Sequence, residues 1–170
     1  MVFREMRRKR QQMAEAECVS VLEKNTSGVL ALSGDGGYPY AVPLSYVFDA
    51  GKIYFHCAKT GHKIDAIQKN SRASFCVVDQ DKIIPEKYTT HFRSVIVFGQ
   101  IHIIDCEKEK RGAIEKLAVK YAPNDSEAGR QQAIDREWAL LCMLRMDIEH
   151  MTGKEAIELV KCKTPVKMNE

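Results

Sequence analysis

The spacing of apolar and polar positions along this chain changes period several times, and each change marks an element. Ala14, Cys18, Val21 and Leu22 recur at helical spacing, which predicts a first helix ending near Asn25. A strand-like run, Gly28-Val29-Leu30-Ala31-Leu32, comes next. The glycine-rich turn Gly34-Asp35-Gly36-Gly37 pairs it as a hairpin with a second run from Tyr38 to Phe48. Asp49-Ala50-Gly51 closes another hairpin onto Lys52 to Cys57, with Gly51 placed for a positive φ. A short helix is expected from Lys63 to Lys69 and a fourth strand from Ala73 to Val78. A long fifth strand is expected from Ser94 to Ile104, with Gly99 as the place for a bend.

The intervening stretch, Asp79 to Phe92, is polar and contains Pro85, so it is expected as a loop or an excursion. Ile114, Leu117, Ala118 and Tyr121 mark a helix stopped by Pro123-Asn124, and a second short helix runs from about Ser126 to Trp138. Leu144, Met146 and Ile148 alternate with Arg145, Asp147 and Glu149, the pattern of a half-buried strand. Thr152-Gly153-Lys154-Glu155 has the form of a capping box opening a C-terminal helix. Five or six antiparallel strands joined by hairpins, with helices at the edges, predict a mainly β protein built as a small closed barrel.

Composition narrows the class. The 170 residues fit one domain, and 45% hydrophobic with 29% charged residues is the balance of a chain that buries a core. No apolar run approaches a membrane span, and the first residues lack the apolar centre of a secretion signal. The six cysteines are scattered without a C-x-x-C pair, which argues against a zinc site or redox dithiol. Cys57 and Cys76 are expected as buried thiols, and the chain reads as cytoplasmic and reduced. The first ten residues carry a net charge of +4 against +3 for the whole chain, so the remainder sums to −1. The division expected is therefore a basic arm at 1–12, one domain at 13–162 and a tail at 163–170. The arm has the charge to touch nucleic acid, but nothing later supplies a recognition helix or stacking platform, so a solvated or partner-docked arm is the preferred reading.

Charge also points to chemistry. Lys59, His62 and Lys63 flank the start of a short helix, where unpaired N–H groups already carry partial positive charge. Cations fit there when an anion, typically a phosphate, occupies the same spot, and Asp65 offsets only part of the mismatch. Pro43 interrupts a strand-like run, which makes that strand an edge and leaves backbone groups of Val42, Leu44 and Ser45 for a ligand. Taken alone, the residue reads first as an ordinary edge proline. Alternation places His56 opposite Ile53, Phe55 and Cys57, away from the core, as a structural histidine or one that orients or protonates a substrate. Ser94, in Arg93-Ser94-Val95, offers a hydroxyl and nearby N–H groups. His91 and His102 have no partners at metal spacing, and Trp138 reads as an anchor.

Several of these runs also match a known family. Arg7-Arg8-Lys9, Gly28 to Leu32, Gly37 to Tyr46, Ile53 to Ala58, Gly61 to Ala66, Phe92 to Val95, Asp135 to Trp138 and Gly153 to Ala156 follow one another in order. The chain resembles the 5-nitroimidazole resistance proteins, within the pyridoxamine 5′-phosphate oxidase-like superfamily, over about Phe3 to Val160. The resemblance implies a split β-barrel of about six strands that forms a homodimer and binds FMN at the subunit interface, with FAD as the alternative. It implies that Lys59, His62, Lys63, Ser94 and Val95 hold the flavin phosphate and that Val42, Pro43 and Leu44 meet the ring edge. His56 would face the substrate. The implied activity is reduction of a small nitro compound; a flavin carrier or sensor without that turnover is the alternative. The arginines that hold substrate phosphate in true pyridoxamine oxidases have no clear match.

Overall fold

The computed structural model describes residues 2–163. The tail expected at 163–170 therefore lies, from 164 onward, outside the described residues. In chain order the elements are α1 (Glu15–Lys24), β1 (Ser27–Ser33), β2 (Pro39–Ser45), β3 (Val47–Asp49), β4 (Lys52–Ala58), α2 (His62–Lys69), β5 (Arg72–Ile84), β6 (Thr89–Ile103), α3 (Glu107–Tyr121), α4 (Glu127–Glu137), β7 (Leu141–Glu155) and α5 (Ile157–Lys163). The strands form one antiparallel sheet in the order β2-β1-β5-β6-β7-β4-β3.

The two outer strands of that sheet, β2 and β3, are separated in the chain by Tyr46 alone. A sheet whose ends are consecutive in sequence must curl until they meet, and the result is a barrel. Closure is incomplete, because β2 runs close to β4 without pairing with it. The barrel is split along that seam. The single strand expected from Tyr38 to Phe48 is thus two, and the strands number seven. The break has a physical cause at Tyr46, whose ring is fully buried against Phe75, 4.9 Å between centroids. Its hydroxyl donates to the Leu22 carbonyl at 2.8 Å, and its backbone N–H lies 3.2 Å from the Thr26 carbonyl and 3.0 Å from the Tyr121 hydroxyl. The backbone there leaves both ladders to satisfy these partners.

Inside the barrel, Leu30, Phe55, Phe75, Val97, Ile101, Leu144 and Met146 form the core, with Cys18, Val21 and Leu22 of α1 packed against it. A second cluster lies between α3 and the outer face of the sheet, where Ala113 and Leu117 cover Tyr54 and Met143. The basic arm folds back on its own barrel. Met13 N–H donates to the Gly153 carbonyl at 3.0 Å, Gln11 is buried, and the Phe3 ring stacks on His150 at 4.6 Å.

Of loop and excursion, the stretch from Asp79 to Phe92 is the excursion: β5 and β6 continue as a two-stranded ribbon, Asp81↔Phe92 through Ile84↔Thr89, turning at Pro85–Lys87. Ile83, Ile84, Thr89 and Thr90 are β-formers whose pairing outweighs the local polarity. Two other expectations change. The capping box at Thr152 to Glu155 does not form. Those residues end β7, paired to β6 as Ser94↔Lys154 and Val95↔Gly153, and the ladder takes the backbone groups a cap would need. Glu155 is buried instead, accepting from Arg93 at 2.9 Å and Lys163 at 2.6 Å. Cys57 and Cys76 are half-buried; the buried thiols are Cys18 and Cys142.

A second carboxylate, Asp79, is almost wholly buried and ties α1 to the barrel. It accepts from Lys24 at 2.7 Å and from the Asn25 side-chain amide at 2.8 Å. Burial works to raise its pKa, but these two hydrogen bonds and the nearby charges outweigh it and hold the group below its ordinary 3.8. A depressed folded pKa contributes stability above the unfolded value and loses it as pH falls through the folded one. Thermal stability should therefore decline below about pH 3.8, and Asp79→Asn should lower stability at neutral pH while flattening that acid limb.

Gly99 sits at the register shift in β6, where an added Cβ would collide with the Asp147 carbonyl oxygen. Gly99→Ala is expected to lower stability by about 1–3 kcal/mol or more in thermal melts. Gly112, inside α3 with no neighbouring atom in reach of a Cβ, is the control; Gly112→Ala should stabilise by up to about 1 kcal/mol.

Candidate functional site

The seam leaves one side of β2 without a neighbour. β2 pairs only with β1, in seven consecutive registers from Pro39 to Ser45, so Pro43 occupies an edge strand as its missing donor requires. Registers carry Pro43 across to Val29, Cys76, Ile96 and Thr152 on the outer face of the sheet. Val42 and Leu44 point the other way and pack, half-buried, on the core. The outer face is apolar and open: Val29, Val78, Ile96 and Phe98 are all exposed.

At the end of the seam, β4 runs into α2 through Gly61. Its φ of 125° and ψ of 171° lie in a region essentially reserved for glycine. No side chain caps the helix; the N–H groups of Ile64 and Asp65 turn back to the Gly61 carbonyl at 2.8 and 3.1 Å. The three cations here point to different surroundings. His62 stacks on Tyr40 of β2 at 4.1 Å and lies 3.5 Å from the Asp35 carboxylate, which Lys69 also binds at 2.9 Å. Lys59 is exposed and lines a cavity against α3. Lys63 is half-buried and acts electrostatically on His56 and Cys57. Among the described residues no carboxylate pairs with Lys59 or Lys63, whereas the nearby Asp35 is shared by His62 and Lys69. The charge mismatch read from the sequence therefore persists in the fold at two of its three cations.

His56 projects from β4, opposite Met143 in the register with β7. Alternation holds: Ile53 and Phe55 fill the barrel, while Tyr54, on the His56 face, is buried under α3. His56 lies beyond that cover and is exposed, yet the protein around it removes enough solvent to lower its pKa below the ordinary 6.5, and the charge on Lys63 lowers it further. The imidazole is neutral at neutral pH. Burial, and then the cross-strand thiol of Cys142, push Cys57 up to about 12, so this neighbouring thiol offers no thiolate.

Within one chain Ser94 and Val95 do not reach the α2 start. Ile103 shares the cavity with Lys59, and Ser94 lies nine residues back along β6, about 30 Å of strand. Val95 is fully buried in the barrel, and Ser94 is half-buried opposite Val78 and Lys154. The structure thus gathers His56, Lys59, His62 and Lys63 at one end of the seam. The Tyr40–His62 stack links them to Val42, Pro43 and Leu44, and Ser94 and Val95 stand apart. Tyr40 and Asp35 were missed in the sequence, because nothing local marks a contact between a hairpin and a helix 22 to 27 residues on. Among the described residues there is no group of three metal-ligating side chains, and no helix is long and apolar enough to cross a membrane.

The electrostatics can be checked directly. In a histidine NMR titration His56 should titrate below 6.5, and Lys63→Gln should raise its pKa part of the way back, since burial, the larger cause, stays. A midpoint unchanged by that substitution would remove Lys63 from the site.

Comparison with known proteins places this geometry. The sequence model of the pyridoxamine 5′-phosphate oxidase family matches residues 14–155. Among solved structures, a conserved hypothetical protein from Mycobacterium tuberculosis superposes with a TM-score of 0.77 at 18% identity, covering 89% of this chain and 90% of its own. A protein from Bacteroides thetaiotaomicron whose proposed role is 5-nitroimidazole antibiotic resistance gives 0.70 at 19% identity, covering 84% and 85%. An FAD-binding protein from Mesorhizobium loti gives 0.58 at 26% identity, covering 86% and 97%. No curated protein matches the sequence. With the family pattern spanning α1 to the end of β7 and the same split barrel in these structures, the chain belongs to the pyridoxamine 5′-phosphate oxidase family.

Proposed function

We propose that this protein binds a flavin, FMN with FAD as the alternative, along the seam between β2 and β4, and uses it to reduce small nitro compounds of the nitroimidazole type. The observation that carries the reading is the uncapped α2 start at Gly61, with Lys59 and Lys63 free of carboxylate partners among the described residues, beside the unpaired edge of β2. The donor set suits such a cofactor: cations and helix N–H groups for a phosphate, backbone groups at Val42, Pro43 and Leu44 for the polar ring edge, and apolar surface alongside. The family and the FAD-binding neighbour from Mesorhizobium loti support the choice of ligand.

When bound, a flavin supplies the electrons for the reduction. The chain's own part is to hold the phosphate at α2, to exclude water along the seam, and to present His56 to the substrate side. A neutral imidazole there accepts or donates a proton at a ring nitrogen near neutral pH. The proposal includes a homodimer. The apolar outer face at Val29, Val78, Ile96 and Phe98 is the surface a second copy would cover. That contact would also bring Ser94 and Val95 of the partner subunit toward an α2 start that their own chain cannot reach. All six cysteines are free thiols, which supports a reducing, cytoplasmic setting.

A second reading, flavin binding without nitroreductase turnover, is favoured by the shortage of acid–base groups at the seam, where His56 stands without a thiolate beside it. Anaerobic assay with a reduced donor and a nitroimidazole separates the two: amine formed no faster than with free flavin selects the binder.

The purified protein should be yellow, with bound flavin identified by mass after extraction. Lys63→Glu should weaken flavin binding by at least about tenfold, the scale of one lost charge-assisted contact. His56→Ala should keep the flavin and chiefly slow turnover. Colourless protein that takes up neither FMN nor FAD on titration would sink the proposal, and equal flavin loss in both variants would refute this division of roles.

A further inference from the structure

Beside α2 a cavity of about 260 Å³ opens between the β4–α2 connection, the start of α3 and the start of β7. Ile64 and Leu141 give it an apolar wall, Asp105 and Glu107 stand exposed at its rim, and Lys59 and Lys110 bring two ammonium groups to it. Lys110 is the unusual member, because only 7% of it is exposed. Glu115 and Asp135 are engaged with Arg111, Asp49 with Lys116 and Glu109 with Arg145, while Asp105 and Glu107 at the rim pair with no cation among the described residues. Its ammonium stands 4.1 Å over the ring of Trp138, a face that attracts a cation but accepts no ordinary hydrogen bond from its three donors.

Lys110 keeps its stem buried beside Trp138 and has no carboxylate partner among the described residues, which leaves its positive charge available to an anion. Here the open side of that charge is a cavity with a second lysine and an apolar wall. We propose that this cavity binds a small monocarboxylic acid, its carboxylate on Lys110 and Lys59 and a short apolar body against Ile64 and Leu141. The solvated Asp105 and Glu107 at the mouth repel a second negative charge, which favours a monocarboxylate over dicarboxylates and phosphates. The site rests on Lys110 and the cavity rather than on the flavin reading, and Lys59 is the residue for which the two anions would compete.

Trp138 is the only tryptophan in the chain and lies under the Lys110 ammonium, so its emission reports on the site through that residue. The purified protein is titrated with 4-methylpentanoate and with the isosteric 4-methylpentanamide, reading tryptophan emission and calorimetric heat, with the flavin bands followed in the same sample. The acid should give a saturable emission change and the amide none. Lys110→Met, which keeps a flexible chain against the Trp138 ring, should weaken calorimetric affinity for the acid by at least about tenfold, and Lys59→Gln by a smaller factor. No saturable response to the acid through the millimolar range, an equal response to the amide, or unchanged affinity in Lys110→Met overturns the proposal. Should Lys110→Met fail to fold, the exposed Lys59→Gln decides, and unchanged affinity there overturns it. Flavin bands retained while acid binding fails would count against this site alone.

Discussion

The structure depends on one closure: the two end strands of a seven-stranded sheet are neighbours in sequence, joined at Tyr46. The Tyr46 hydroxyl, donating to Leu22, and its backbone, directed to Thr26 and Tyr121, tie the closing point to α1, to the α1–β1 link and to the end of α3. Because the chain passes from one sheet end to the other in a single residue, β2 meets β4 side by side without a ladder. The unpaired edge of β2 and the position of His56 follow from that geometry.

Charge is treated in two ways in this fold. Asp79 and Glu155 are buried carboxylates, and each is matched by hydrogen-bonding cations: Lys24 for the first, Arg93 and Lys163 for the second. These bridges join α1 to β5, β6 to β7, and β7 to α5, where breaking one partner would leave a buried charge exposed to a low dielectric. Among the described residues Lys59, Lys63 and Lys110 pair with no carboxylate, although Asp105 and Glu107 share the cavity of Lys59 and Lys110, and Asp35 lies beside the helix that begins next to Lys63. The buried carboxylates are paired whereas Lys59, Lys63 and Lys110 are not, with His62, held by Asp35, as the exception, and this contrast supports the proposed sites.

The family relationship and the geometry divide the explanation between them. The fold accounts for why a helix start, a strand edge and a neutral histidine meet at one seam. It accounts equally for why Ser94 and Val95, placed by the motif series in the same site, lie about 30 Å of strand away in a single chain. In the proposed homodimer each copy would hold part of the set, with the open apolar face between the parts.

Much of this was legible beforehand. Local periodicity marked α1, β1, β4, α2 and the middle of β7, because each buries one face of a short regular element and the alternation records it. Lys59, His62 and Lys63 stood out because a helix dipole makes their charge locally wrong, whatever the rest of the chain does. The sequence could not show which partner would claim a group. Glu155 looks like a cap and becomes a buried ion-pair member because Arg93 and Lys163 arrive from elsewhere. The 79–92 segment looks like a loop or an excursion and becomes a ribbon because its two halves find each other. His62 looks free and is taken by Tyr40 and Asp35, and Lys110, ordinary on a helix, is buried over Trp138. Periodicity and dipoles act over a few residues and are written in the sequence; pairing, burial and closure depend on segments tens of residues apart, which only the tertiary structure brings into contact.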